Sequence, residues 1–229
     1  MKARDRRPAR LIGVVRRKRA ILMVSTALQA TVALVLAIPA GAQPAPNARP
    51  AGGQVVAGAA SITQSPNVTT ITQSSQRAAV NWKSFDVGAQ QTVDFAQPNA
   101  SAATLNRVTG ANPSQIAGRI NANGQVILIN PDGVVFYKGS QVNAASVMVS
   151  AAGITNKNFM AGRMIFDQPA HPNARVENQG NITVKEAGLA ALVAPQVANS
   201  GVITAKLGHV VLAGARAATL DLYGDGLLS

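Results

Sequence analysis

A repeat in the C-terminal third constrains this chain more than any other feature. Val176, Asn178, Gly180, Ile182, Thr183 and Lys185 recur as Val197, Asn199, Gly201, Ile203, Thr204 and Lys206, a spacing of 21 residues at every position. After one deletion, Gly188 and Leu192 match Gly208 and Leu212 at a spacing of 20. A period of about 20 residues with two or three short strands per repeat suits a β-helix, in which each coil lies on the one before at roughly 4.8 Å. Ile and Val at matched positions then pile into an apolar column, and matched Asn side chains form a hydrogen-bonded ladder at a corner.

The rest of the body agrees. From Gln54 onward, short β-rich runs alternate with Asn, Gly and Pro: Ser61–Thr72, Ala79–Phe85, Gln91–Phe95 and Gln125–Ile129. Asn130-Pro131-Asp132-Gly133 follows the last of these, with Pro and Gly where a type I turn wants them. Only 3% of residues are aromatic, so small aliphatic side chains must fill the core. Stacked coils leave open strand edges at their ends. Gln54–Phe95, less regular and holding the single Trp, is expected to cap the N-terminal end. The C-terminal Asp221–Ser229 is a poor cap and reads as an interrupted coil of a longer protein.

The formal net charge of +12 first suggests a nucleic-acid binder. Its distribution argues otherwise. Residues 1–19 hold nine Lys/Arg and one Asp, whereas residues 50–229 hold 11 basic and 8 acidic residues. The basic block precedes an apolar run, Ala20–Ile38, then Pro39 and the small-x-small site Ala40-Gly41-Ala42. That is the order of a secretory signal peptide, removed after Ala42, over residues 1–42. An uncleaved anchor is the competing interpretation, since 19 residues can span a bilayer. A Pro/Gly-rich linker is expected over 43–53. The remaining 187 residues allow at most about nine coils.

Catalysis and metal binding find little support. No Cys is present, which removes disulfides, thiolate zinc sites and cysteine nucleophiles. His171 and His209 lie far apart, and Asp86, Asp94, Asp132 and Asp167 have no paired-carboxylate spacing. No cofactor, metal site or catalytic residue is expected. A polysaccharide-acting β-helix enzyme or a self-contained surface adhesin are the alternatives; the enzyme would need acidic residues clustered on one face of successive coils.

Four segments resemble a known family: Arg77–Gly88 with Trp82 and Phe85, Leu105–Gly110 with Asn106 and Arg107, Ser114–Gly118, and Asn123–Val134 with the Asn130-Pro131-Asp132-Gly133 turn. In this order and spacing they resemble the haemagglutination-activity domain of filamentous-haemagglutinin-type exoproteins, closest to the high-molecular-weight adhesin branch. The family's turn is Asn-Pro-Asn-Gly; Asp132 replaces the second Asn and is expected to serve the same geometry. The resemblance implies a right-handed parallel β-helix with an N-terminal cap. It implies a two-partner secretion domain over 54–167, with further coils over 168–229. It also implies recognition by the POTRA domains of a dedicated outer-membrane transporter, outward threading of an unfolded chain, and a secreted or cell-surface destination. Trp82, Phe85, Asn106, Arg107, Asn130, Pro131, Asp132 and Gly133 are the motif residues. Trp82 and Phe85 are expected to pack the cap and the Asn130–Gly133 turn to set coil register, while Asn106 and Arg107 are candidates either for a recognition surface or for a ladder.

Overall fold

The computed structural model describes residues 43–219. These form a parallel β-helix whose coils run through three sheets in turn. Sheet 1 has the order β1(Gln54–Ala57), β4(Arg77–Trp82), β6(Ala103–Val108), β9(Gln125–Ile129), β12(Ser146–Ser150), β16(Leu189–Ala194), β19(His209–Gly214). Sheet 2 stacks β7(Ser114–Ile116), β10(Gly133–Phe136), β14(Arg175–Asn178) and β17(Gln196–Asn199). Sheet 3 runs β2(Ala60–Gln64), β3(Val68–Gln73), β5(Thr92–Ala96), β8(Arg119–Ala122), β11(Gln141–Ala144), β15(Asn181–Val184), β18(Val202–Ala205). The described residues make fewer coils than the nine the length allows, because one connection is long and the first strands serve as a cap.

The sequence repeat becomes the strand register. Val176 pairs with Val197, Asn178 with Asn199 and Ile182 with Ile203; across the deletion, Leu192 pairs with Leu212. The expected ladder is present: Asn178 Nδ2 donates to Asn199 Oδ1 at 2.8 Å. The deletion falls at the corner between sheets 3 and 1, where Ala187 and Leu207 take positive φ of 59° and 53°. At the same corner a Cβ on Gly208 would overlap the carbonyl of Gly188 in the coil before it. The corner therefore demands glycine for closeness rather than for turn geometry.

Strand alternation sends every second side chain inward. The inner column includes Ile71, Val93, Ile120, Val142 and Ile182 from sheet 3, and Val80, Val126, Val147 and Leu192 from sheet 1, all buried. Three buried polar residues pair with one another within this stack: Gln97 Nε2 donates to Thr104 Oγ1 at 3.0 Å, and Thr104 donates to Gln73 Oε1 at 2.6 Å. Such satisfaction is what makes burying them tolerable.

The cap is narrower than Gln54–Phe95. Within that stretch only β1 and β2 run against the coils; β3 already pairs in parallel with β5, and β4 with β6. Trp82 thus belongs to the first parallel coil. The Pro/Gly stretch expected to be a linker is tied to that coil from residue 46 onward. Gln90 N–H donates to Pro46 O, Gly88 N–H to Ala48 O, and Ala51 N–H to Ser84 O, all within 2.9 Å.

The long connection joins β12 to β14. It contains α1(Asn156–Met160) and β13(Ile165–Phe166), and β13 pairs antiparallel with β20(Ala218–Thr219). Ile154, Phe159, Met164 and Phe166 are buried there in a second apolar cluster, with Leu105, Ile127 and Met148 from the outer face of sheet 1. Sheet 1 is therefore covered on both faces, while the outer row of sheet 3 (Thr70, Asp94, Asn121, Asn143, Thr183 and Thr204) is polar, as a solvated face requires.

Candidate functional site

The motif residues gather at the first three coils, and four of the eight, Trp82, Phe85, Asn106 and Asn130, have buried side chains. Trp82 on β4 and Phe85 just after it are buried, with rings edge to face at 5.5 Å and 83°. Asn106 on β6 is also fully buried; its Oδ1 accepts from the Trp82 indole N–H at 3.0 Å. In the folded domain Asn106 is therefore a core group and not part of the surface.

Arg107, next in the strand, points to the outer face. Its Nη1 donates to Asn81 Oδ1 at 3.1 Å and Asn156 Oδ1 at 3.0 Å, and its Nη2 to Ile154 O at 2.6 Å. Partial burial without a carboxylate partner lowers its pKa from the usual arginine value. The guanidinium is committed to holding the long connection onto sheet 1.

Asn130 closes the turn. Its carbonyl accepts from Gly133 N–H at 2.9 Å and its Oδ1 from Asp132 N–H at 3.0 Å. Its Nδ2 reaches Ser114 Oγ, on the neighbouring coil, at 3.0 Å. Gly133 has φ +104°, and a Cβ there would overlap Arg175 O. Asp132 has a role beyond the turn, because its Oδ1 lies 2.7 Å from His171 Nδ1 at the end of the long connection. Asn156, Ile154 and His171 were not legible as motif partners, since they come 39 to 49 residues after the groups they bind. Ala40 and Ala42 lie outside the described residues.

Asp86, Asp94, Asp132 and Asp167 lie apart from one another, although Glu177 and Asp86 both come near Tyr137 beside sheet 2, whose pKa is raised by burial and then by their charges. Asp94 is on the outer row of sheet 3, bonded to Asn121 Nδ2 at 2.9 Å. Asp86 accepts from Gln115 N–H beside sheet 2, and burial pushes its pKa up. Asp132 sits in the turn and Asp167 just after β13. Among the described residues no three of His, Asp and Glu come together as a metal site would require.

β1 ends sheet 1 and β2 ends sheet 3, so each has an outward edge with no further strand among the described residues.

Residues 47–226 match the TPS secretion domain family. The chain belongs to that family. It resembles two heme/hemopexin-binding proteins of Haemophilus influenzae, at 36% identity over 164 residues and 47% over 81 residues. These alignments cover 68% and 35% of this chain but only 18% and 9% of those proteins. The crystal structure of the HMW1 secretion domain from Haemophilus influenzae superposes with a TM-score of 0.70 at 35% identity, over 74% of this chain and 46% of that one. The chain is therefore a two-partner secretion domain of the high-molecular-weight adhesin type, part of a protein exported across the outer membrane, and the family implies a cognate outer-membrane transporter.

Proposed function

We propose that this domain is the secretion module of a large exported adhesin-type protein, recognised in the periplasm by POTRA domains of its transporter. The observation that carries this is the family match from residue 47 to 226, over a solenoid whose first strands lie at the sheet edges. Residues 1–42 act as a Sec signal removed after Ala42, residues 54–167 carry the recognition function, and residues 168–229 continue the coils. The mature chain passes outward unfolded, and its first coils nucleate β-helix folding outside the cell.

Wherever the first strands have already formed, their open edges allow edge pairing. Trp82, Phe85, Asn106 and Asn130 are buried once the domain has folded, so these side chains are open to a partner only while the chain is unfolded. A partner strand adding to either edge would gain main-chain hydrogen bonds without a specific side-chain set. The lack of Cys suits the route, since no bridge can form in the oxidising periplasm before threading. Binding of heme or hemopexin belongs to relatives more than five times the length of the aligned region, and adhesion belongs to regions outside this domain.

The test is secretion by a co-expressed cognate transporter, comparing the full chain with a deletion of residues 54–155. The full chain is expected in the medium and the deletion in the periplasm. Equal amounts in the medium would end this reading.

A further inference from the structure

The connection from β12 to β14 is out of proportion to its task. In the coil before, Ile129 and Gly133 are joined by three residues, and in the coil after, Ala194 and Gln196 by Pro195 alone. Here 24 residues separate Ser150 from Arg175. They do not loop into solvent. They cross the outer face of sheet 1 along the solenoid axis and are fastened at three levels. At the N-terminal level, Arg107 grips Asn156 and Ile154 O while also holding Asn81 of β4. At the middle level, His171 meets Asp132 and its N–H donates to Pro131 O at 3.3 Å. Beyond the last coil, β13 pairs with β20 and Ala170 N–H donates to Arg216 O at 3.2 Å. Between the fastenings, Phe159 and Phe166 are fully buried.

In a solenoid each coil touches only its neighbours, so coils can unravel from an end one at a time. A strap that touches the first parallel coil and the strand after the last removes that freedom. We propose that residues 151–174 form a longitudinal clasp that closes last and locks the coils into one cooperative unit, with Arg107 as its catch. The order follows from the chain. Arg107 meets nothing of the strap until residue 154 has emerged, and β13 meets no partner until residue 218. The clasp therefore acts on unfolding rather than on folding. The proposal rests on the fold and not on the identity of the transporter.

The test uses the full chain. In the unmodified protein, amide hydrogens of β4 and β16 are expected to exchange with one common free energy, because neither end opens alone. Arg107→Met is expected to speed unfolding about tenfold with the folding rate within twofold, and to separate the two exchange free energies. Slower folding with unchanged unfolding would overturn the proposal by placing the clasp before the barrier. Separate exchange free energies in the unmodified protein would also overturn it, and this measurement needs no variant. Should Arg107→Met fail to fold, Arg107→Lys keeps the charge but not the forked geometry, and the same pair of rates decides.

Discussion

The Trp82 indole donates to the Asn106 carboxamide at 3.0 Å, both side chains buried and on adjacent strands of sheet 1. Each satisfies a polar group that the apolar column could not solvate. Replacing Trp82 with Phe strands the Asn106 oxygen, at an expected cost of about 1–3 kcal/mol. Adding Asn106→Leu removes the orphan and is expected to return part of that loss. Urea unfolding followed by far-UV circular dichroism measures both; equal midpoints for single and double variants would show that the hydrogen bond is not the source.

Gly133 and Gly139 separate backbone conformation from space. Both have positive φ, +104° and +94°, yet a Cβ on Gly133 overlaps Arg175 O whereas a Cβ on Gly139 has nothing within 4 Å. Gly139→Ala is expected to cost about 1 kcal/mol, the conformational term alone. Gly133→Ala is expected to cost more, because it also forces coils apart at β10 and β14. Comparing their thermal midpoints checks the ranking.

Ala187 and Leu207 predict the opposite sign. Each holds a left-handed φ without being glycine, and Leu207 is 78% exposed, so little packing is lost with it. Ala187→Gly and Leu207→Gly are each expected to stabilise by about 0.5–1 kcal/mol, the relieved strain less the added unfolded-state entropy. Denaturant midpoints falling rather than rising would contradict this.

Asp86 predicts a pH dependence. Burial raises its folded pKa, against a smaller lowering by the Gln115 N–H. A carboxyl raised in this way favours the fold when protonated, and that contribution is lost as pH rises through its folded pKa. Asp86→Asn keeps an acceptor for Gln115 and removes the charge. It is expected to stabilise at pH 7, with the effect fading as pH falls through the folded pKa and vanishing only well below the unfolded value of about 3.9, where the native carboxyl is neutral in both states. Urea midpoints at pH 7 and pH 3 provide the measurement; a gain of equal size at both would rule out the charge as its origin.

What could be read from sequence was whatever repeated or was local. The Val176–Lys206 repeat became register residue by residue, and Asn130–Gly133 became a turn closed by its own backbone. Asn106 and Arg107 were harder. Neighbours in a strand face opposite ways, so one entered the core and the other left it, and no local pattern says which is which. The strap stayed hidden for a related reason. Its five-residue helix is too short to show an apolar periodicity, and the surface that Phe159 and Phe166 bury exists only after several coils have stacked. Asp132 matches the family's Asn in the turn, but its bond to His171 crosses 39 residues and leaves no local signal in the sequence.

β1 and β2 run against the coils while β17, β18 and β19 run with them. Inward-facing Val210 and Leu212 in the last coil are 47% and 48% exposed, against 1% for Ala190 and Leu192 directly beneath them. The solenoid thus has a direction, much as a filament has a growing end. A following stretch with the same apolar spacing inherits its register from this surface and need not nucleate its own. At the opposite end the reversed strands give such a stretch no parallel template, so elongation has one allowed sense.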